Sequence, residues 1–242
     1  ADGVHNGTAA DEVIVLRILG DHVLDLGVLP VPALQHYVKV RGDITGGIMV
    51  TASHNPPEFN GIKCIAADGT ECSHEEESAI EDYYETDIGT VLWERIGHME
   101  SITGAGEDYV DSIVSKVDVD LIGRSDIKVV LDCANGASVN TSRMILERLG
   151  VQAVIINGEP DGMFPGHFSE PVEENLTELK EEVVRVGADL GLAHDGDADR
   201  CVFISDKGKY LPGDVGLALL SILCMKTTKV KKQVVSTVAL SN

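Results

Sequence analysis

Short apolar runs with almost no polar alternation recur along this chain, separated by longer stretches in which apolar residues return at helical spacing. The runs His22–Leu26, Gly47–Thr51, Lys63–Ala67, Ile127–Asp132, Gln152–Ile156, Asp189–Ala193 and Cys201–Ser205 are predicted as strands. The helical patterns are Ala9–Leu19, Ala33–Val40, Asp108–Lys116, Ser138–Leu149, Glu173–Val186 and Asp214–Lys226. A strand that is apolar on both faces must be covered on both, and the intervening helices are the cover. The alternation predicts an α/β fold, built as two successive three-layer units with mixed, largely parallel sheets plus the start of a third. Another strand-like run, Val234–Ala239, follows a basic patch at Lys226, Lys229, Lys231 and Lys232.

Charge is distributed unevenly. From Asp68 to Asp126 there are 17 acidic and 3 basic residues, a net of −14 out of the formal −21 of the whole chain. Such a run reads first as a solvated helical face plus a linker. Ser73 followed by His74 and three glutamates is a helix start, with a capping hydroxyl and acidic residues at the positive end of the dipole. That helix is expected to reach about Glu85. Residues 86–106 lack periodicity and hold the expected break between units. The expected domains are 1–100, 101–208 and the opening of a third at 209–242.

An excess of 40 acidic over 19 basic residues excludes nucleic acid and anionic membrane as principal partners, because both select a basic surface. The charge-free apolar stretch Val215–Met225 is shorter than the roughly 20 residues that span a bilayer. Residues 1–5 lack the basic and apolar regions of a secretory signal, so a cytoplasmic location is expected. Cys64, Cys72, Cys133, Cys201 and Cys224 are widely spaced, and free thiols are expected rather than disulfides or a structural zinc site.

Two segments carry chemistry. The first is Thr51-Ala-Ser-His-Asn-Pro-Pro-Glu-Phe-Asn-Gly-Ile-Lys63, directly after an apolar strand. A serine there, beyond a strand's carboxyl end and held by two prolines and a glycine turn, is well placed for reaction, with His54 and Lys63 as charged neighbours. A capped, turn-rich loop is the competing reading. The second is Gly187-Ala-Asp-Leu-Gly-Leu-Ala-His-Asp-Gly-Asp-Ala-Asp-Arg200. Asp195, Asp197 and Asp199 alternate at a strand end, and carboxylates so gathered repel unless a hard cation such as Mg²⁺ joins them. An EF-hand is excluded, since the sixth position from Asp195 is Arg200 and the twelfth is Asp206.

Together these segments resemble the α-D-phosphohexomutase superfamily. Gly27-Val-Leu-Pro-Val-Pro-Ala, Leu131-Asp-Cys-Ala-Asn-Gly-Ala and Glu170-Pro-Val-Glu-Glu-Asn-Leu match it too, in family order. The resemblance implies that Ser53 carries a phosphoryl group and exchanges it with a hexose 1- or 6-phosphate through a bisphosphorylated intermediate. It implies that Asp195, Asp197 and Asp199 hold Mg²⁺, with a phosphate oxygen on Ser53 as a further ligand. Lys63 becomes a candidate general acid/base, and His54 and Arg200 active-site residues. Three carboxylates beside a phosphoserine of roughly −1.5 to −2 charge also require a divalent ion on physical grounds.

The match has gaps. An active-site arginine of the family's amino-terminal segment has no counterpart, with Val4 in the arginine slot of a nearby pattern. Family members have four domains, so domains III and IV are expected to be missing partners and the chain alone a poor mutase. Two alternatives stand at this point. One is a haloacid-dehalogenase-type phosphatase with Asp195 as nucleophile and Asp197 as acid/base, which leaves Ser53 unexplained. The other is an inactive module that binds sugar phosphate or metal.

Overall fold

Pro30 and Pro32 open the first described helix. Proline suits the first turn because the N–H it lacks has no partner within the helix. The computed structural model describes residues 20–84, 86 and 89–227. The helix expected over Ala9–Leu19, the run Val234–Ala239 and the position of Val4 lie outside them. Strand β1 (Val23–Asp25) precedes α1 (Val31–Val40), which buries Val31, Ala33, Leu34, Tyr37 and Val38. Strands β2 (Gly46–Val50) and β3 (Ile62–Ala66) pair antiparallel, Gly46 against Ala66, leaving 51–61 as the loop at one end. Ile65 of β3 packs on Leu34 and Val38 of α1. Helix α2 (His74–Tyr84) starts at a capping box: Ser73 N–H donates to Glu76 Oε2 at 2.8 Å and Glu76 N–H to Ser73 Oγ at 3.4 Å.

The aperiodic stretch 86–106 holds structure that its sequence does not advertise. Residues Trp93–Arg95 form a short 3₁₀ turn, and β4 (Met99–Ser101) pairs in parallel with β1. Helices α3 (Ala105–Val114) and α4 (Val119–Arg124) follow. The second of these was not expected; Asp118 caps it by accepting from Leu121 N–H at 2.9 Å.

Next come β5 (Lys128–Asp132), α5 (Val139–Arg148), β6 (Gln152–Ile156), α6 (Thr177–Val186), β7 (Leu190–His194), β8 (Cys201–Ser205) and β9 (Tyr210–Leu211). The five strands form one sheet in the order β6-β5-β7-β8-β9. Its faces are both buried, as the apolar runs required. Val130 points to one side and packs with Leu176, Leu179, Val183 and Ile204, while Val129 and Leu131 point to the other, with Val139 and Leu146. Across the described sheets three pairings are parallel and three antiparallel, because the β2–β3, β7–β8 and β8–β9 connections contain no crossover helix.

Helix α6 ends where Gly187 takes φ +63°, letting Ala188 N–H reach Val183 O at 2.9 Å. That turn feeds β7, whose carboxyl end carries the aspartates. The last described helix, α7 (Gly213–Thr227), exposes Leu219, Leu220, Ile222 and Leu223. No described helix is long and apolar enough to cross a membrane.

Candidate active site

The 51–61 loop and the 195–200 loop meet. Thr51 is the hinge between them: its Oγ1 accepts from Ser53 N–H at 2.8 Å and donates to Asp197 Oδ2 at 3.3 Å. Gly196 lies so close to the Ser53 backbone that a Cβ there would fall 2.7 Å from Ser53 O. A side chain at 196 would push the two loops apart. Val31 N–H, at the start of α1, donates to Asp197 O at 3.0 Å, so a helix amino terminus also grips the acidic loop.

The three aspartates converge, with one oxygen of each within 4.8 Å of the others. Asp195 and Asp197 are 0% and 2% exposed, and Asp195 Oδ2 and Asp197 Oδ1 have no hydrogen-bond donor. A buried carboxylate oxygen without a donor is costly, and two beside each other are the signature of a cation site. Burial, and then the charges of Asp197 and Asp199, push the Asp195 carboxyl up to about 7. Burial, the largest single influence, acts on Asp199 in the same sense, yet the hydrogen bond and charge of Lys63, with the Asp195 contact and Arg200, together hold Asp199 below the usual range. Oxygen-only, anionic and partly preformed, the donor set fits a hard divalent ion such as Mg²⁺.

Lys63 supplies positive charge to this cluster. Its Nζ lies 2.6 Å from Asp199 Oδ2 and 3.0 Å from Asp197 Oδ2. Burial pulls its pKa down, but the two carboxylates dominate and raise it. Lys63 is therefore an ammonium here, balancing part of the carboxylate charge. Ser53 Oγ is 3.2 Å from His54 Nδ1, and Ser53 takes the left-handed φ of +55°. Arg200 donates its N–H to Asp195 Oδ1 at 3.0 Å, and its guanidinium sits 3.7 Å from Asp195 Oδ2 and 3.8 Å from Glu170.

Comparison with known proteins bears on this geometry. The model of phosphoglucomutase/phosphomannomutase α/β/α domain I matches residues 5–89, and that of domain II matches residues 107–208. The chain belongs to the α-D-phosphohexomutase superfamily. A phosphoglucomutase/phosphomannomutase of Thermococcus kodakarensis is 40% identical over 205 residues, 84% of this chain and 44% of that protein. A phosphoglucosamine/phosphogalactosamine mutase of Sulfurisphaera tokodaii is 37% identical over 230 residues, 94% of this chain and 50% of that protein. The crystal structure of a phosphoglucomutase/phosphomannomutase family protein from Burkholderia thailandensis superposes with a TM-score of 0.75 at 26% identity. It covers 90% of this chain and 47% of that one. The chain thus spans about half the length of the curated relatives it matches. Membership in this family removes the dehalogenase-type alternative.

All seven candidates from the sequence are gathered by the fold: Ser53, His54, Lys63, Asp195, Asp197 and Asp199 lie on the two facing loops and β3, with Arg200 flanking. Sequence reading missed what supports them. Thr51 was read only as part of a motif, although it bonds both loops. Asp132, fully buried at the end of β5, and His167 form an unexpected pair at 3.1 Å. A carboxylate closing an apolar strand beside the acidic loop was the available signal.

Proposed function

We propose that the chain provides the phosphoserine and metal-binding domains of a phosphohexomutase, an isomerase that moves a phosphoryl group between the 1- and 6-positions of a hexose or hexosamine phosphate. In this reading residues 1–100 form domain I, 101–208 domain II and 209–242 the opening of domain III. Domains III and IV, which would choose and enclose the sugar, belong to a longer protein. The observation that carries the reading is the pair of donorless carboxylate oxygens on Asp195 and Asp197, held against the Ser53 loop.

Asp195, Asp197 and Asp199 would hold Mg²⁺ together with a phosphate oxygen on Ser53. When bound, the ion neutralises charge on the transferring phosphoryl group, where positioning and electrostatics supply most of the catalysis. The chain's own residues do the rest. Transfer breaks the Oγ–P bond of phosphorylated Ser53 and makes an O–P bond to a sugar hydroxyl; the hydroxyl proton is left over and Ser53 Oγ accepts it. His54, 3.2 Å from Ser53 Oγ, is the side chain best placed to deliver that proton. Lys63 is an ammonium against Asp197 and Asp199, which favours a role as proton donor and charge balance over that of a free base. Arg200 orders the acidic loop from its outer side.

The test is phosphoryl loading. After incubation with a hexose 1,6-bisphosphate and Mg²⁺, peptide mapping is expected to find one phosphoryl group on Ser53, absent in Ser53→Ala. Phosphate on Asp195, or none anywhere, would overturn the reading. In a coupled mutase assay the 242-residue chain is expected to fall more than about tenfold below the longer gene product, a barrier difference above about 1.4 kcal/mol. Turnover closer than that would show that the further domains contribute little.

A further inference from the structure

Six of the seven described non-glycine residues with left-handed backbone surround the proposed site: Ser53, Ala134, Asn135, Asn157, Phe164 and Ala198, with φ between 48° and 56°. Conformations this uncommon persist only where their surroundings impose them. Four of the six, Ala134, Asn135, Asn157 and Phe164, belong to neither reacting loop's motif. Ala134 and Asn135 follow β5 and Asn157 follows β6; Asn135 N–H donates to Asn157 O at 2.9 Å, and Ala134 and Asn157 meet at one buried carboxylate.

That carboxylate is Asp132, 0% exposed. Its Oδ1 accepts from Ala134 N–H and from Asn157 Nδ2, each at 3.0 Å. Its Oδ2 is 3.1 Å from His167 Nε2. The other ring nitrogen of His167 faces Phe168 O at 2.6 Å. Neither a carboxylate nor a carbonyl can donate, so both contacts are hydrogen bonds only when both ring nitrogens carry a proton. Only the imidazolium form satisfies both contacts, and that form pairs the His167 ring, its side chain 9% exposed, with Asp132. Burial alone would lower its pKa, and the Asp132 carboxylate reverses the sign.

The segment that His167 anchors touches both loops. Phe164 packs its ring edge against Gly196, within 3.2 Å of where a Cβ would lie. Ser169 Oγ donates to Asn55 O at 3.4 Å. On the other side of Asp132, Ala137 N–H donates to Gly196 O at 2.8 Å. Between the segment and the Ser53 loop lies a cleft of about 350 Å³ lined by Pro56, Pro57, Phe164 and Phe168.

We propose that His167 is a positioning residue: paired with Asp132, it fixes segment 157–169 as the strut that sets the Ser53 loop against the Asp195–Asp199 loop. The inference rests on reading those two loops as one site. Groups that support a site's ligands from behind typically alter metal affinity by about 10–100-fold when removed.

The experiment compares the wild-type chain with His167→Gln, which keeps a donor but loses the charge. Mn²⁺ affinity is read by electron paramagnetic resonance, and amide hydrogen exchange at 52–55 and 196–198 by NMR. The expected result is a loss of Mn²⁺ affinity of about tenfold or more and faster exchange in both loops, with α6 and the central strands unchanged. In the wild type, the His167 ring is expected to show two N–H protons at neutral pH. A ring with one N–H proton, or unchanged affinity and exchange, would overturn the proposal. If the wild type binds no Mn²⁺, the metal reading fails, and loop exchange still decides the strut. If His167→Gln does not fold, Asp132→Asn decides instead, with loss of the second ring N–H and faster loop exchange expected, and neither change contradicting.

Discussion

The two reacting loops rest on unlike platforms. The acidic loop leaves β7, an inner strand of a five-stranded sheet with apolar side chains packed on both faces. The Ser53 loop joins β2 and β3, a two-stranded ladder whose described buried core is Leu34, Val38 and Ile65. The difference teaches how the labour is divided. Carboxylates that must stay close despite repulsion need a stiff support, because repulsion would otherwise be relieved by backbone movement. In the proposed reading Ser53 is loaded and unloaded, which calls for a loop held by specific bonds, here through Thr51 and Gly196, more than by bulk packing.

Core truncation should expose the contrast most strongly. Leu179→Ala, in the larger core, is expected to cost at the upper end of about 2–5 kcal/mol, and Ile65→Ala at the lower end. Denaturant unfolding of both variants measures this. Equal costs, or a larger one for Ile65, would break the comparison.

Cutting the bond between the platforms comes next. Thr51→Val removes a hydroxyl that bonds the Asp197 carboxylate, an interaction worth about 1.5–3 kcal/mol. The expected result is weaker Mg²⁺ binding in calorimetry with little change in the unfolding of the five-stranded sheet. Unaltered binding would mean that the loops hold each other without Thr51.

A smaller effect belongs to the Ser53 side alone. Ser73→Ala dismantles the capping box of α2 and should cost about 1 kcal/mol. Hydrogen exchange is expected to rise in α2 and nowhere in the second sheet.

The smallest effect is a pH slope from the five-stranded platform. His167 has a raised folded-state pKa, so its pairing contributes in full below the unfolded value of about 6.5 and fades as pH climbs through the folded value. The thermal midpoint of the wild type should therefore fall more between about pH 6 and about pH 9 than that of His167→Gln. Parallel curves would contradict a charged pair.

The same contrast governs what could be read from the sequence. Four strands of the five-stranded sheet were legible because they are near-continuous apolar runs; Cys201–Ser205 stands as expected, and Gln152–Ile156 likewise, whereas the two-residue β9 (Tyr210–Leu211) is too short to carry a pattern. Strand β4 was not, since Met99-Glu-Ser101 has no pattern of its own and exists by pairing with Val23–Asp25, far earlier in the chain. The acidic triad was legible as a local spacing. Lys63 reaching Asp199 from 136 positions away was not, and neither was His167 reaching Asp132 across 35. Local spacing names the donors; only the fold names their partners.

The central claim is that phosphorylated Ser53 and the three aspartates share one metal ion. The direct measurement is the ³¹P NMR signal of phospho-Ser53 during titration with substoichiometric Mn²⁺, whose unpaired electrons broaden nearby nuclei. In the wild type the signal is expected to broaden away as Mn²⁺ binds, and to stay sharp in Asp197→Asn. A sharp phosphoserine signal in wild-type protein that has bound Mn²⁺ would place the ion elsewhere and contradict the account.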